Sequence, residues 1–343
     1  MREPRLRALG RAVPARSATQ IELYEHHSPF ERSPLTDRLM YDSPILTRAL
    51  HVPPEFHRGR PSLTESNAAW RDGALSLGGR ALDDALALAG IAPPSVDVIG
   101  VTTVTGYTTP GLDLLLAHGH GLRPTVQRVH FNCIGCHAAV PLLRVIADHV
   151  ARRPGSVGVA VAVEVCSACF TDRGDAQNIV ASTLFGDGAA AAVITDDGDG
   201  PVLVDFASAF DFEHIDALGF ELSTEGFRIV LDPRIPDHIA ASIARVVDDL
   251  LARNGVRRED VALWALHPGG SRILDAAQHA LGLSDEALRP SRWVLRNHGN
   301  MSSPSVLFVL AEALAAAPPP PGRAGVIAAF GPGLGIEAAL LRF

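Results

Sequence analysis

The chain has 343 residues, 47% of them hydrophobic and 20% charged, and a net charge of −8. This is the balance of one large or two medium globular domains, and its negative sign argues against nucleic acid as the main partner. All 30 basic residues are Arg, so Schiff-base and P-loop lysine chemistry is excluded. "MREPRLRALGRAVPARSATQ" (1–20) lacks an apolar core, so no signal peptide is expected. No uninterrupted apolar run reaches about 18 residues, so no membrane span is expected either, and the cytosol is the expected compartment.

In chain order, residues 1–62 read as irregular, with scattered Pro, Arg and His. From residue 63 strands and helices alternate. A helix at about 65–90 leads to the strand "DVIGVTTV", and a second helix follows "TTPGLDLLLAHGHG". The strand "TVQRVHF" then precedes a helix from about Cys136 to Ala151, a buried strand at 157–165 and a helix near 175–183. "AAAAVIT" and "PVLVDFAS" read as closing strands. Such an alternation predicts a mostly parallel sheet with helices on both faces.

The four cysteines form two C-x-x-C pairs, Cys133/Cys136 in "FNCIGCHAAV" and Cys166/Cys169 in "EVCSACF". Such pairs raise zinc first. The second pair, however, continues a Val-rich strand, where positions three apart face opposite ways. A disulfide would need an oxidising compartment, which nothing indicates. Inert packed thiols are the leading reading for Cys133, Cys166 and Cys169, and no metal is expected.

The second half repeats the first. "DALALAGIAPPSVDVIGVTTVTG" (84–106) and "DDLLARNGVRREDVALWALHPGG" (248–270) are each a helix, a Gly stop, a short helical turn and a strand ending at Gly. The segment around 126–165 matches the one around 292–331 as strand, Gly turn, apolar helix, Pro/Gly loop and buried strand. Helices apolar on all faces are buried on all sides. Two of them imply an α/β fold of thiolase type, a five-layered α-β-α-β-α sandwich of two pseudo-symmetric halves, 1–200 and 201–343. Cys136 then starts the buried helix of one half and Asn300 that of the other, while His267 ends a strand before "PGG". Ser303 reads as a helix cap, with Pro304 at the first helical position. Pro141 lies deep enough in its helix to kink it.

At these residues the chain resembles the type III polyketide synthases, the chalcone and stilbene synthase-like family. "LHPGGSRILDAAQHALGLSDEALRPSRWVLRNHGNMSSPSVLFVLAE" carries the family's His and Asn motifs, and "LFGDGAAAAVI" and "FGPGLGIEAALL" resemble two further blocks. The nucleophile motif departs from Gly-Cys-x-Ala-Gly by ending "GCHAA", which should slightly crowd the helix start. The resemblance implies Cys136 as nucleophile, with its thiolate paired to His267. His267 and Asn300 would bind the thioester oxygen of a malonyl unit as carbon dioxide leaves. It implies no cofactor beyond CoA thioester substrates, acyl-CoA and malonyl-CoA, and a small aromatic or pyrone product.

By the same resemblance Phe185 gates the passage from CoA tunnel to cavity. Cys166, Cys169 and Ser302 line that cavity, Phe220 stands where plant members have Gly, and Ile229 where they have Phe. Thr109 falls where a residue crosses a homodimer interface into the neighbour's cavity. The CoA grip is thin. Arg38 matches one basic position, whereas Leu35 and Asp42 occupy two others. Gly269 and Arg272, with Arg58 and Arg60, are further candidates, or the donor rides on an acyl carrier protein. The nearest rival is a ketoacyl-carrier-protein synthase III with the same Cys-His-Asn set, although "HPGG" and "GNMSS" favour the polyketide synthase. A non-catalytic thiolase-fold protein is the other.

Overall fold

The computed structural model describes residues 2–27, 33–53, 55–169, 176–223 and 226–343. The first half runs β1 (Arg5–Ala12), β2 (Ser17–Thr19), α1 (Gln20–His27), α2 (Pro34–Tyr41), β3 (Thr47–Ala49), α3 (Glu55–Arg58) and α4 (Leu63–Ala89). It continues through β4 (Val98–Thr103), α5 (Leu112–Gly119), β5 (Gln127–Asn132), α6 (Ala139–Arg152), β6 (Gly158–Val165), α7 (Cys166–Cys169), α8 (Ala176–Leu184) and β7 (Asp187–Thr195). The second half runs β8 (Val202–Phe210), β9 (Leu218–Ser223), β10 (Gly226–Leu231), α9 (Ile235–Arg253), β11 (Val261–Leu266) and α10 (Ser271–Leu281). It closes with α11 (Asp285–His298), α12 (Ser305–Ala316), β12 (Ala324–Gly331) and β13 (Gly335–Arg342).

The main sheet has nine strands in the order β11-β12-β13-β8-β1-β7-β6-β4-β5. Its two halves, β1-β7-β6-β4-β5 and β8-β13-β12-β11, follow the same plan and meet where β1 and β8 pair at Arg5 and Val202. The repeat read from the sequence is visible in detail. Gly90 caps α4 in the left-handed region, a 3-10 turn at Pro93–Ser95 follows, and β4 begins. After α9, a 3-10 turn at Arg258–Asp260 likewise leads into β11.

Alternation along the strands separates three apolar layers. Ala190, Ala192 and Ile194 of β7 face a central core with α6 and α12, whereas Ala189, Ala191 and Val193 face the outer core under α4 and α5. In β12 and β13, Ile327, Ala329, Ala339 and Leu341 face the same central core, and Val326, Ala328, Ala338 and Leu340 face α9 to α11. A period of two sends successive side chains to opposite faces. Two sheet halves thus enclose a shared helical layer, with helices outside each, and the fold is the thiolase-type five-layered sandwich.

Several sequence expectations are corrected. Residues 1–62 are not irregular: β1 lies at the middle of the sheet, paired with β7 from Arg5 opposite Thr195 to Ala12 opposite Ala189. The strand expected from Trp293 onward is the end of helix α11, so the second half lacks a counterpart of β5. Helix α6 begins at Ala139, not Cys136, which puts Pro141 in the first turn, where its missing N–H leaves no internal bond unmade. Ser303 does not cap α12, and Pro304 occupies the cap position itself. Ala139, the departure from the family motif, is buried in the central core.

Candidate active site

Strand β5 ends at Asn132, and the chain turns into α6 through Gly135 and Cys136. Gly135 has φ +92°, and a Cβ there would lie 2.5 Å from Pro332 Cδ. The turn therefore needs glycine to present Cys136 beneath the loop that joins β12 to β13. The next residue, His137, packs its ring on that loop, where a Cβ on Gly331 would fall 1.8 Å from its Nδ1. The sequence "FGPGLG" leaves the space that His137 fills.

The Cys136 sulfur is 7% exposed at the residue level and meets the Ser302 hydroxyl and the Asn300 side chain. Burial is the largest influence and pushes the thiol up to about 12; those two hydrogen bonds lower it, and Glu164 raises it further. Asn300 Oδ1 accepts the Ser302 N–H at 2.8 Å, which holds Ser302 in the left-handed region at φ +59°. A non-glycine residue there stores about 1–3 kcal/mol, a cost commonly met at functional sites. Asn300 Nδ2 lies 3.4 Å from the Gly269 carbonyl, a long bond that ties it to the loop after His267. His267 closes β11, with its N–H donating to Ala328 O at 2.8 Å. A Cβ on Gly269 would stand 3.7 Å from His267 Nε2, so Gly269 leaves the ring edge open.

His267 is buried, its Nδ1 has no partner among the described residues, and desolvation, with His137 adding a little, pushes it down to about 3. The thiol and the imidazole are therefore both shifted toward their neutral forms, the opposite direction to the standing thiolate–imidazolium pair that the resemblance implies. The physical reason is burial, compounded by the Glu164 charge. Cys136 also precedes the helix by three residues, outside the first turn where a helix end stabilises an anion.

Glu164, at the end of β6, escaped the sequence analysis. Its carboxylate accepts from Val104 N–H at 2.9 Å, Thr105 N–H at 3.2 Å and Thr105 hydroxyl at 2.9 Å. Ser303 hydroxyl donates at 2.6 Å and Ser302 hydroxyl at 3.5 Å. Burial raises its pKa against these donors. The residue joins both halves close to Cys136, whose thiol its charge raises. A lone carboxylate inside "VGVAVAVEV" is the signal that could have found it, since a buried charge requires partners.

Cys136, Cys166, Cys169, Phe185 and Ile229 form one buried apolar cluster, with Phe220 packed against it. The strand assignment of the second cysteine pair is corrected: β6 ends at Val165, and Cys166–Cys169 form a helical turn, which puts both thiols on one side. Asp187 anchors that turn by accepting the Ser167 N–H at 2.8 Å. Burial raises both thiols well above the ordinary cysteine value. Phe220 and Ile229 sit opposite each other in the β9–β10 hairpin. Phe185 and Asn300 are held side by side by a parallel bridge, with Gly186 N–H to Asn300 O and Asn300 N–H to Leu184 O, each 3.0 Å.

Thr109 lies outside this cluster, exposed beside Tyr107, whose hydroxyl accepts from its own at 2.9 Å. Arg38, in the last turn of α2, and Arg272, in the first turn of α10, are both exposed, as are Arg58, Arg60 and Asp42. The Leu35 side chain lies outside the described part of the structure.

The buried histidines predict acid sensitivity. His137, pushed down to about 4 by desolvation, stays neutral in the folded chain while its unfolded counterpart protonates below about 6.5. A depressed histidine pKa means that the unfolded state binds more protons, so stability falls as pH falls from about 6.5 toward 4. Between pH 7.5 and 5.0 this histidine alone should account for about 2 kcal/mol. Urea unfolding at the two pH values should show His137→Gln losing about that much less than the parent. Equal losses would mean that His137 does not titrate this way.

The fold and the joining of Cys136 to Asn300 across the two halves define a condensing enzyme of the thiolase class. Within that class the chain belongs to the chalcone and stilbene synthase family, whose N-terminal domain matches residues 4–198 and whose C-terminal domain matches residues 212–343. It is 36% identical over 318 residues, 90% of this chain and 84% of the relative, to 1,3,6,8-tetrahydroxynaphthalene synthase of Streptomyces peucetius subsp. caesius. It is 35% identical to 3,5-dihydroxyphenylacetyl-CoA synthase of Amycolatopsis orientalis, covering 99% of this chain and 93% of that one. The crystal structure of the bacterial type III polyketide synthase 1,3,6,8-tetrahydroxynaphthalene synthase from Streptomyces coelicolor A3(2) superposes with a TM-score of 0.90 at 27% identity over 99% of each chain. These matches favour a type III polyketide synthase over the carrier-protein-dependent ketoacyl synthase.

Proposed function

We propose that this type III polyketide synthase loads an acyl group from a CoA thioester onto Cys136, extends it with malonyl-CoA and cyclises it to a small aromatic or pyrone product. The observation that carries the assignment of roles is the contact of Cys136 with Asn300 and Ser302 in one buried site. In loading, neutral His267 takes the thiol proton, the sulfur attacks the thioester carbonyl, and CoA leaves with the proton. In extension, the malonyl carbon–carbon bond breaks, carbon dioxide departs, and Asn300 Nδ2 with a His267 N–H holds the enolate oxygen. The enolate carbon then attacks the acyl carbonyl, and the Cys136 sulfur leaves. The nucleophile belongs to the half 1–200, and His267 and Asn300 to the half 201–343. No metal or bound cofactor takes part in these steps. The pure protein, incubated with malonyl-CoA and a panel of acyl-CoAs, should release extended products by mass spectrometry, and a strict need for acyl carrier protein would reverse the donor assignment.

Phe185 serves as gate, with Cys166, Cys169, Ser302, Phe220 and Ile229 as cavity wall. Phe220→Gly removes one of the two aromatic side chains of the β9–β10 hairpin packed on the cluster. It should shift products toward a longer chain by at least one extension, read by mass; an unchanged product distribution would remove Phe220 from the wall. Arg38 and Arg272, with Gly269 beside His267, are candidates for the CoA grip.

The working unit is a homodimer in the cytosol. Supporting this, β5 is the edge strand of the first half-sheet, and the adjoining loop exposes Tyr107 (67% exposed) and Thr109. An unpaired edge beside an exposed aromatic favours a protein partner. Light scattering at micromolar concentration should give twice the 36.3 kDa chain mass; an active monomer would refute the dimer. Among the described residues no helix is long and apolar enough to cross a membrane.

A further inference from the structure

We propose that Asp211, His214 and His238 bind one divalent cation of the zinc class, at a site separate from the cysteines and from the substrate cavity. Asp211 and His214 lie at the 3-10 turn that follows β8, and His238 lies in the first turn of α9. One ligand atom from each falls within 4.8 Å of the other two. His214 Nδ1 is 2.9 Å from Asp211 Oδ2, and the two imidazole rings lie 3.9 Å apart, centre to centre, tilted by 39°.

Two observations point to a ligand rather than to a simple ion pair. The Asp211–His214 bond leaves His238 unexplained: its Nε2 is buried and has no hydrogen-bond partner among the described residues. A cavity of about 20 Å³, room for a single ion or water, is lined by Asp211 and His238. Arg245 lines the same cavity but is exposed, so its charge is solvated.

Two imidazoles and one carboxylate, with no thiolate, form a donor set suited to zinc, and water can complete a tetrahedron. Bonds of about 2.0–2.1 Å put tetrahedral ligand atoms about 3.4 Å apart, which small side-chain rotations would reach. His214 and Asp211 are 32% and 27% exposed at their side chains, which gives the ion an entry path. The bound ion would pin the end of β8 to α9. Phe210, immediately before Asp211, meets the His137 ring edge-on at 6.3 Å, so the cation would brace the strand that supports the nucleophile turn.

The test uses tag-free, chelator-treated full-length protein titrated with zinc chloride by calorimetry, with elemental analysis after dialysis. The expected result is about one zinc per chain and a thermal midpoint that rises with zinc. Asp211→Asn, which keeps the side-chain shape, and His238→Ala should each weaken binding at least tenfold. The Cys166→Ala/Cys169→Ala protein should bind like the parent. Cobalt(II) in place of zinc should give tetrahedral d–d bands without a thiolate charge-transfer band. No stoichiometric zinc on the parent overturns the proposal. So does binding that survives in a His214→Ala/His238→Ala protein with parental far-UV circular dichroism, or a thiolate–cobalt band.

Discussion

The Cys136→Ala protein is expected to form no acyl-enzyme from any starter CoA and to make no product. Cys133→Ala, Cys166→Ala and Cys169→Ala should still load. Each of the four thiols has a distinct environment. Cys133 is exposed, and its thiol donates to its neighbour Asn132 Oδ1 at 3.2 Å. Cys166 and Cys169 are buried in the apolar cluster that includes Cys136, and burial raises both. Cys136 is also raised, but it alone has side-chain partners that lower its pKa, from Ser302 and Asn300 of the opposite half. Losing a nucleophile costs on the order of 10⁶ in turnover where catalysis is covalent, so the residual rate should be undetectable. Because Cys166→Ala and Cys169→Ala each remove a sulfur atom from the proposed cavity wall, their products should differ in length while their loading does not. Intact mass spectrometry after incubation with starter CoA decides the matter: an acyl adduct on Cys136→Ala would place the nucleophile elsewhere.

The central strands were legible because they are buried on both faces. "VGVAVAVEV" and "AAAAVIT" can be little else than sheet interior, and the repeat of helix, Gly stop, 3-10 turn and strand survives in both halves. Strand β1 was not legible, because "RLRALGRA" alternates Arg with Leu and Ala beside Pro-rich sequence, and its burial comes from elements distant in the chain, β7 beside it and α4 across it. Helix α11 was misread because Pro290 sits inside it and "RWVL" has strand-like residues, although Ser284 caps its start by accepting the Ala287 N–H. At the candidate site, motif and symmetry singled out Cys136, His267 and Asn300. Glu164 was not singled out, because its significance lies in donors from two distant segments, Val104–Thr105 and Ser302–Ser303, which no local spacing records. The charge state of the Cys–His pair was likewise out of reach, since burial sets it and burial depends on the whole fold.

That charge state separates the two remaining site residues. Asn300→Ala should still form acyl-enzyme but lose malonyl decarboxylation and extension. Beside its contact with Cys136, its Nδ2 has only the long 3.4 Å bond to Gly269 O, so it can turn to an enolate oxygen. One such donor is worth about 10²–10³ in rate, so the loss should be large and not total. His267→Ala should fail at both steps near pH 7.5, because the proposed mechanism uses the ring both as the base for loading and as a donor for decarboxylation. With the thiol pushed up to about 12 by burial, loading by this variant should recover only in strongly alkaline buffer, rising about tenfold per pH unit below that value. Alkylation by iodoacetamide gives the same information without substrate. In the parent, the rate at Cys136 should climb steadily from pH 6 to pH 9 with no acid plateau, because thiol and imidazole rest neutral. A plateau already present at pH 6 and abolished in His267→Ala would establish a standing thiolate–imidazolium pair and overturn the neutral reading. A parent profile that His267→Ala leaves unchanged, with loading intact at pH 7.5, would instead remove His267 from the loading step.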